Sequence, residues 1–358
     1  MTASPAVTPP RASLPPIRRV CVFGGAGFVG EHIVRQLQQA GYQVRVPTRH
    51  RERARSLLVL PEVDVVEADI HDPAVLDRLL AGMDAAINLV GMLHETRVGR
   101  VDLPSARRGD FHATHVELPR KIVQACARQN VARLLHMSAL HANPVARSAY
   151  LRSKGVGEAI VREADLRHSE NERWYLDGPK FIRGASLATT VFRPSVIFGA
   201  GDAFLNLFAR LLRLFPVVPL GSAGARFQPV WVGDVAQAFV RSLENPQTVG
   251  QAYDLCGPKV YTLGELVHYA AQVQGLKSII LPLGPRLSFL QAWVLERLPG
   301  KLVTCDNYYS MQTDSVCACD FPAVFGITPR ALEHVAPEYL APAVSRSRYD
   351  SLRHTARR

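Results

Sequence analysis

The stretch VCVFGGAGFVG, residues 20–30, decides how this chain folds. Its first four residues are apolar and predict a buried β-strand, and the glycines after them predict a tight turn that opens a helix. Without side chains, such a turn lets backbone N–H groups approach a pyrophosphate at the positive end of the helix. The stretch therefore predicts a dinucleotide site, with an ordinary glycine-rich turn as the alternative. The predicted cradle consists of Gly24, Gly25, Gly27, Phe28, Val29 and Gly30.

The composition of the chain limits its class. The 358 residues are 47% hydrophobic, which suffices for one large domain or two modest ones with a real core. No run of about 18 uncharged apolar residues predicts a membrane span. The six cysteines are scattered and contain no C-x-x-C pair, so they do not resemble a secreted disulfide framework. We predict no metal site.

The chain is strongly basic, with a net charge of +11. Arginines are concentrated in residues 45–55 and in the tail at 342–358. A basic surface suits nucleic acid, anionic lipid or a phosphorylated ligand. Neither interleaved aromatic residues nor a nucleic-acid motif accompanies these arginines, so we expect no nucleic-acid partner. Residues 1–16 are rich in Pro, Ala, Ser and Thr and lack an apolar core, which predicts a disordered leader and not a secretory signal.

The second predicted strand, residues 41–46, bears on the choice of cofactor. An NAD site usually places an acid about 20 residues after the glycines, to hold the ribose 2′-hydroxyl. This sequence has no acid between Tyr42 and Arg51 and offers Thr48 and Arg49 there. A guanidinium pairs bidentately with a 2′-phosphate. We therefore predict NADP(H) in preference to NAD(H); the alternative is a solvated basic loop.

Strands and helices alternate along the next hundred residues. Residues 63–68, 84–90 and 133–137 predict strands, and residues 73–80 and 112–129 predict helices between them. This alternation predicts an α/β fold, a Rossmann-type doubly wound parallel sheet with helices on both faces.

The ends of two of these strands supply further candidate contacts to the cofactor. Asp69 and Ile70 follow the third strand, where a carboxylate accepts from the adenine amino group and an apolar side chain packs on the ring. Asn88, Val90 and Gly91 close the fourth strand, where the backbone passes near the cofactor.

A candidate catalytic group follows the fifth strand. Ser138 ends that strand, and Tyr150 and Lys154 come after it in the run YLRSK. Residues four apart share a helix face, so the phenol and the ammonium point the same way. A nearby cation favours phenolate and lowers the tyrosine pKa from about 10. Tyr150 then exchanges a proton with a substrate oxygen that Ser138 also binds.

These runs resemble the extended and atypical short-chain dehydrogenase/reductase superfamily. The matching runs are FGGAGFVG, NLVG, HMSAL, YLRSKGVGE and FRPSVIFG. Longer runs, among them DNYYSMQTDSV at 306–316 and PRALEHVAPEYL at 329–340, are similar to the nucleotide-binding accessory subunit family of respiratory complex I, alpha subcomplex subunit nine, and its bacterial relatives. The resemblance covers roughly residues 18–341.

The resemblance implies a tightly held NADPH on the glycine cradle, with the backbone at Arg193 and Pro194 facing the nicotinamide amide. It also implies the catalytic pattern of the three residues above. His115 stands where many extended members have an asparagine, and Phe23 replaces a usual threonine before the glycines. The first departure weakens a full proton relay. Tyr150 alternatively serves, with its lysine partner, only to hold the nicotinamide ribose.

We predict a Rossmann domain over residues 17–198, with an inserted loop at 165–185. A smaller C-terminal lobe follows over residues 199–341 and returns one strand to the sheet. Residues 204–215 and 287–298 predict amphipathic helices. These helices either line the substrate lobe or form a surface for a membrane or an isoprenoid chain, with arginines at the headgroups.

The predicted function is that of a dinucleotide-binding protein associated with respiratory complex I or ubiquinone metabolism, with a nucleotide that is structural or sensing. The alternative is an active NADP-dependent oxidoreductase or a sugar-nucleotide epimerase or dehydratase. The expected partners are complex I subunits or an isoprenoid quinone, with peripheral membrane contact. The expected location is the cytoplasm, at the inner membrane, in a bacterium and the mitochondrial matrix in a eukaryote.

Overall fold

The computed structural model describes residues 14–93, 110–166, 187–298 and 303–341. Most of the predicted leader (residues 1–13), nearly all of the predicted insert (residues 167–185) and the basic tail lie outside the described residues. What the sequence predicts for them stays a prediction.

The described chain alternates strands and helices for most of its length. The strands are β1 (Arg19–Phe23), β2 (Gln43–Thr48), β3 (Val63–Glu67), β4 (Ala85–Asn88), β5 (Arg133–Met137), β6 (Ala188–Pro194), β7 (Ile197–Phe198), β8 (Val217–Leu220), β9 (Arg226–Phe227), β10 (Val230–Trp231), β11 (Gln251–Leu255), β12 (Tyr261–Thr262) and β13 (Ile279–Pro282). The helices are α1 (Phe28–Gln39), α2 (Arg55–Leu58), α3 (Pro73–Leu80), α4 (Asp110–His112), α5 (Leu118–Arg128), α6 (Ala149–Leu166), α7 (Phe204–Leu214), α8 (Val232–Leu243), α9 (Leu263–Val273), α10 (Pro285–Leu295), α11 (Cys305–Ser310) and α12 (Leu332–Leu340).

Seven strands form one parallel sheet in the order β11-β6-β5-β4-β1-β2-β3. The chain builds outward from β1 through β2 and β3, returns to β4 beside β1, and then builds in the other direction. This topology confirms the predicted doubly wound fold. Its last strand, β11, comes from the C-terminal part of the chain and pairs with β6. Ligands of such sheets bind where the strand order reverses, beyond the carboxyl ends of β1 and β4.

Helices cover both faces of the sheet because each presents a stripe of apolar side chains to it. On one face, Ile33, Val34 and Leu37 of α1 are fully buried together with Phe239 of α8. On the other face, α3, α5 and α6 contribute a second core. The strong alternation of elements therefore produces a core on each side of β1, and the glycine turn lies between them.

Several predicted boundaries differ from the observed ones, and three of these differences have a cause in the local structure. β2 begins at Gln43 because Gly41 takes a left-handed turn with φ of +88°. β4 ends at Asn88, where its ladder with β5 ends. The predicted helix over 112–129 is interrupted by a π-helical turn, Ala113–Glu117, before α5. Pro119 at the start of α5 lacks the N–H that would have continued an α-helical ladder to His115.

The C-terminal lobe packs α7, α9 and α12 around a third apolar core. A disulfide joins Cys256, just after β11, to Cys317, with 6.1 Å between the two Cα atoms. This pair could not be predicted from the sequence, because the two cysteines are 61 residues apart and only the fold makes them neighbours. Among the described helices, none has both the length and the apolar character needed to cross a membrane.

Candidate dinucleotide and active site

The glycine turn after β1 is shaped by the protein's own packing at two positions. Gly24 has φ of +82°, a conformation that side chains disfavour. A β-carbon at Gly30 would lie 2.2 Å from the carbonyl oxygen of Gly24, so α1 touches the turn backbone directly. The Gly25 N–H donates to the Val22 carbonyl at 3.2 Å and closes the turn. These contacts aim the start of α1 at the crevice between β1 and β4.

Gly27 is different, because the protein around it does not require a glycine. It precedes α1 with φ of −88°, which any residue adopts. A β-carbon there would meet one described atom within 4 Å, the Gly24 carbonyl oxygen at 3.3 Å. The first N–H groups of a helix, here those of Phe28, Val29 and Gly30, lack intrahelical partners. The bare backbone at Gly27 therefore fits the close approach of a pyrophosphate, and the cradle suits a dinucleotide.

The predicted ribose and adenine contacts lie beyond the ends of β2 and β3. Arg49 is exposed, and the Thr48 hydroxyl donates to the His50 carbonyl at 3.2 Å. A carboxylate oxygen of Asp69 accepts from the His71 N–H at 2.9 Å. Burial lowers the pKa of His71. The nearby Asp69 charge opposes this shift, and the Arg49 charge adds to it. A cation and an anion thus converge here, and Ile70 beside them is half-buried.

The end of β4 shapes the crevice on its other side. A side-chain oxygen of Asn88 accepts from the Val90 N–H at 3.1 Å, and its amide nitrogen lies 3.2 Å from Nδ1 of His136. A β-carbon at Gly91 would come within 3.0 Å of Lys154 Nζ. The bare backbone at Gly91 therefore makes room for the lysine, which sequence reasoning placed in the same site.

Tyr150 and Lys154 share one face of α6; the Lys154 side chain is buried and Tyr150 is half-buried. Lys154 Nζ donates to the Met137 carbonyl at 3.1 Å. Burial lowers the pKa of Lys154 to about 8 and raises the pKa of Tyr150 to about 12. The sequence-based expectation that the lysine lowers the tyrosine pKa is therefore wrong for this structure, because loss of solvation dominates.

His115 lies in the π-helical turn and joins three parts of the site. Its Nε2 accepts from the Met92 N–H at 3.1 Å, so the proton resides on Nδ1, 2.9 Å from the Ser153 hydroxyl. The ring stacks on Phe111 and meets the Tyr150 ring edge-on, at centroid distances of 5.4 and 5.6 Å. Burial, with the nearby Lys154 charge, lowers the pKa of His115 to about 2. A neutral histidine thus fixes the tyrosine ring and the chain after β4.

The Ser138 hydroxyl has a partner that the sequence does not predict. It donates to a carboxylate oxygen of Glu158 at 2.7 Å. Glu158 also accepts from the Arg193 guanidinium, with Nε 3.0 Å from each carboxylate oxygen. The Arg193 side chain is therefore held in an ion pair, while the adjacent Pro194 carbonyl accepts from the Leu140 N–H. Glu158 was missed, although its spacing from Lys154 repeats the four-residue step.

A segment that we call the strap, residues 303–317, covers the start of α6. Asp306 in the strap accepts from the backbone N–H groups of Ala149 and Tyr150, at 2.6 and 3.1 Å, and from the Ser148 hydroxyl at 2.9 Å. The disulfide at Cys317 ties its other end to the sheet. The sequence did not identify Asp306 as a site residue either. Its run matters there only for the family resemblance, because no local spacing links Asp306 to α6.

Replacing Asp306 by alanine is expected to loosen this arrangement. Loss of a helix-capping carboxylate costs about 0.5–2 kcal/mol, so urea denaturation should show Asp306→Ala destabilised by roughly that amount. Limited proteolysis should also cleave the strap faster, because its bonds to α6 are gone. Asp320→Ala, at an exposed carboxylate beyond the strap, serves as the control. Equal stability of the two variants would contradict the capping role.

A cavity of about 390 Å³ opens between the strap and the loop before α6. Polar side chains line it, among them His141, Asn143 and Arg147 from the loop and Tyr309 and Gln312 from the strap. The Arg147 guanidinium lies 4.3 Å from the centre of the Tyr309 ring. This cavity adjoins the start of α6 and offers space for a ligand there.

A family model described as "NAD dependent epimerase/dehydratase family" matches residues 20–264. The chain belongs to this family. Its members bind a nicotinamide dinucleotide, in agreement with the cradle at α1. The chain is 32% identical over 332 residues to the mitochondrial alpha subcomplex subunit 9 of NADH dehydrogenase [ubiquinone] 1 from Rattus norvegicus, across 89% of this chain and 78% of that protein.

Two further comparisons show the breadth of the family. Ceramide reductase from Caulobacter vibrioides is 29% identical over 265 residues, across 74% of this chain and 73% of that one. The dTDP-glucose 4,6-dehydratase DesIV from Streptomyces venezuelae, solved as a double mutant with NAD bound, has a TM-score of 0.65 at 20% identity and covers 90% of this chain and 95% of its own. That likeness shows the fold alone. The resemblance seen in the sequence is confirmed by the family match and the relatives.

Proposed function

We propose that this protein binds NADP(H) in the crevice between β1 and β4. The observation that carries the proposal is the bare backbone at Gly27. The surrounding protein leaves space beside it, and a bound pyrophosphate would need that space. The proposed cradle holds the phosphates, Asp69 and Ile70 meet the adenine, and Asn88, Val90 and Gly91 border the nicotinamide half. When bound, the nicotinamide ring supplies or accepts a hydride. Tyr150 and Lys154 bind its ribose or hold a proton at the phenol.

Native mass spectrometry of the purified protein tests the dinucleotide directly. A bound mass equal to NADPH or NADP⁺ is the expected result, since the enclosed site should retain its ligand. A bound NAD(H) would overturn the cofactor choice but not the site. Protein that carries no nucleotide, and that takes up neither form on addition, would contradict the proposal.

The preference for NADP(H) rests on Arg49, so we expect Arg49→Ala to weaken NADPH binding selectively. A charge-assisted hydrogen bond is worth about 1.5–3 kcal/mol, so NADPH affinity should fall roughly tenfold or more while NADH affinity stays nearly constant. Isothermal titration with both nucleotides measures this. Arg53→Ala is the matched control, because Arg53 is an exposed arginine of the same basic segment. Equal losses for both nucleotides would show that Arg49 is not at the ribose.

The proposed physiological role is association with respiratory complex I or ubiquinone metabolism, with the nucleotide serving structure or sensing. Similarity to the complex I subunit across most of this chain supports it. The site supports it as well, because the Ser138 hydroxyl is engaged with Glu158. The proposed partners are complex I subunits or an isoprenoid quinone. The proposed place is the cytoplasmic side of the inner membrane in a bacterium, or the matrix in a eukaryote.

The second candidate function is an active NADP-dependent oxidoreductase or a sugar-nucleotide epimerase or dehydratase. Retention of Tyr150 and Lys154 on one helix face favours it, since a regulator on an inactive dehydrogenase fold usually loses one of them. The cavity beside α6, with Arg147 on its wall, offers room for a polar substrate. The similarity to a ceramide reductase supports an apolar carbonyl substrate instead.

A further inference from the structure

Most of the large hydrophobic side chains that the described residues expose are concentrated in three segments, 214–217, 279–281 and 287–298. Leu214, Ile279 and Leu287 are 72%, 59% and 55% exposed. Large contiguous apolar patches are rare on soluble monomers and mark sites of interaction. All three segments belong to the C-terminal lobe, away from the glycine cradle.

The hydrogen bonds of the lobe place these segments side by side. β8 pairs with β13 in parallel, and Val217 lies opposite Ile279. Both side chains are exposed, while Val218 beside them is buried, so one face of the pair is bare. Gln291 of α10 donates to the Pro219 carbonyl of β8 at 2.8 Å and accepts from the N–H of Gly221, just after β8, at 2.9 Å. The helix therefore adjoins the two strands.

Only a narrow strip of helix α10 is buried, and most of its other apolar side chains are exposed. Ser288 and Ala292 are its buried residues, whereas Leu290, Trp293 and Val294 are 51%, 43% and 44% exposed. A helix that is apolar on nearly all sides is ordinarily covered by protein or lipid. Its 11 residues span about 16 Å, against about 30 Å for a bilayer core. It is therefore suited to lie on a membrane and not to cross one.

The exposed charged side chains of this patch are all cations; Glu296, which lies within residues 286–298, is half-buried and accepts from the Cys305 N–H at 3.2 Å. Residues 203–233 and 266–295 contain no aspartate or glutamate. These segments contain several exposed cations. One further cation, Arg297, follows α10, and its guanidinium lies 3.5 Å from the centre of the Trp293 ring. The exposed cations are Arg210, Arg213, Arg226, Lys277, Arg286 and Arg297.

We propose that the exposed side chains of residues 213–217, 277–281 and 286–298, which we call the apolar–basic surface, seat the protein on an anionic lipid bilayer. Helix α10 lies in the interface plane, its leucines enter the boundary between headgroups and acyl chains, and the arginines reach the lipid phosphates. Trp293 lies at headgroup depth, where indole rings are favoured. An acidic protein partner would satisfy the cations but would not need so broad an apolar face.

The inference goes beyond the proposed dinucleotide site and does not depend on it. A chain of contacts nevertheless links the surface to the helix of Tyr150. Phe289 of α10 contacts the rings of Tyr308 and Tyr309 in the strap, at centroid distances of 5.5 and 6.2 Å. The strap in turn caps the helix of Tyr150 through Asp306. A bilayer on this surface would therefore be connected to the candidate active site through α10 and the strap.

Co-sedimentation of the full chain with phosphatidylcholine vesicles, with and without phosphatidylglycerol, tests the proposal. The wild type should bind the anionic vesicles and show a blue shift of its tryptophan emission. The double variant Leu290→Ser/Trp293→Ser should bind at least about tenfold more weakly, a difference of about 1.4 kcal/mol. The double variant Arg286→Glu/Arg297→Glu should lose most of its preference for anionic vesicles.

The control variant is Val59→Ser/Val145→Ser, because these valines are 80% and 86% exposed and lie outside the surface. It should bind vesicles like the wild type. The basic tail is retained in every variant, so differences among them report the surface alone. Nucleotide affinity, measured in parallel, should stay constant and so separates this test from that of the dinucleotide site.

Two outcomes would overturn the proposal. Vesicle binding by the Leu290→Ser/Trp293→Ser variant equal to that of the wild type would place lipid contact elsewhere, including the tail. A wild type that ignores anionic vesicles but forms a dimer that this variant disrupts would make the surface an interface between two copies of the chain.

Discussion

Gly27→Val is expected to abolish dinucleotide binding while the fold remains intact. The branched side chain would stand at the start of α1, where the pyrophosphate must approach the backbone. Its β-carbon would meet one described atom closely, the Gly24 carbonyl oxygen at 3.3 Å, and a shift of a few tenths of an ångström relieves this contact, so we expect the fold to form. We expect isothermal titration to show at least about a hundredfold loss of affinity, equivalent to about 2.8 kcal/mol.

Two comparisons make the Gly27 result interpretable. Gly224→Val is the matched control, because a β-carbon at Gly224 meets no described atom within 4 Å and lies outside the turn. It should bind nucleotide normally. Gly30→Val should instead fail to fold, since its β-carbon would overlap the Gly24 carbonyl oxygen. Nucleotide affinity of Gly27→Val equal to that of the control would remove the phosphate from this turn.

The second large effect is expected at Tyr150, and it separates an enzyme from a structural nucleotide protein. Tyr150→Phe keeps the ring packing against Phe111 and His115 and removes only the hydroxyl. If the phenol donates a proton, turnover should fall by roughly two to four decades with nucleotide affinity nearly unchanged. Lys154→Met should weaken both, because the ammonium would contact the ribose as well as the phenol.

Complementation of a deletion strain extends this test to a protein without a known substrate. If the nucleotide is structural, Tyr150→Phe should restore growth as the wild type does, and Gly27→Val should not. This is the outcome we expect, because His115 replaces the relay asparagine and Ser138 is engaged elsewhere. A Tyr150→Phe strain that fails to grow, despite normal protein level and bound nucleotide, would make catalysis the better account.

The α10 segment illustrates how far a local pattern reaches. Its composition predicts a helix and admits two roles, lining the lobe or meeting a membrane or isoprenoid chain. The structure separates it from α7, whose Leu205 and Leu212 are buried in the lobe core. In α10 the apolar side chains are mostly exposed instead. Both helices contain leucine, phenylalanine and arginine, so composition alone did not distinguish them.

The sequence by itself determined the sheet, the glycine turn and the shared face of Tyr150 and Lys154. Each depends on residues close in the chain: a strand that runs into glycines, a helix period, an i and i+4 pair. Local sterics and helix geometry fix such features whatever surrounds them. The nearby His115 was likewise visible as a departure from a familiar pattern.

The tertiary structure alone decided which polar groups meet. Asp306 caps α6 through the N–H of Tyr150, which lies 156 residues earlier in the chain. The disulfide joins two cysteines that are 61 residues apart. The Ser138 hydroxyl donates to Glu158, and burial raises the tyrosine pKa against the effect expected of its lysine neighbour. Hydrogen-bond partners and solvation depend on everything packed around a group, so neighbours in sequence could not reveal them.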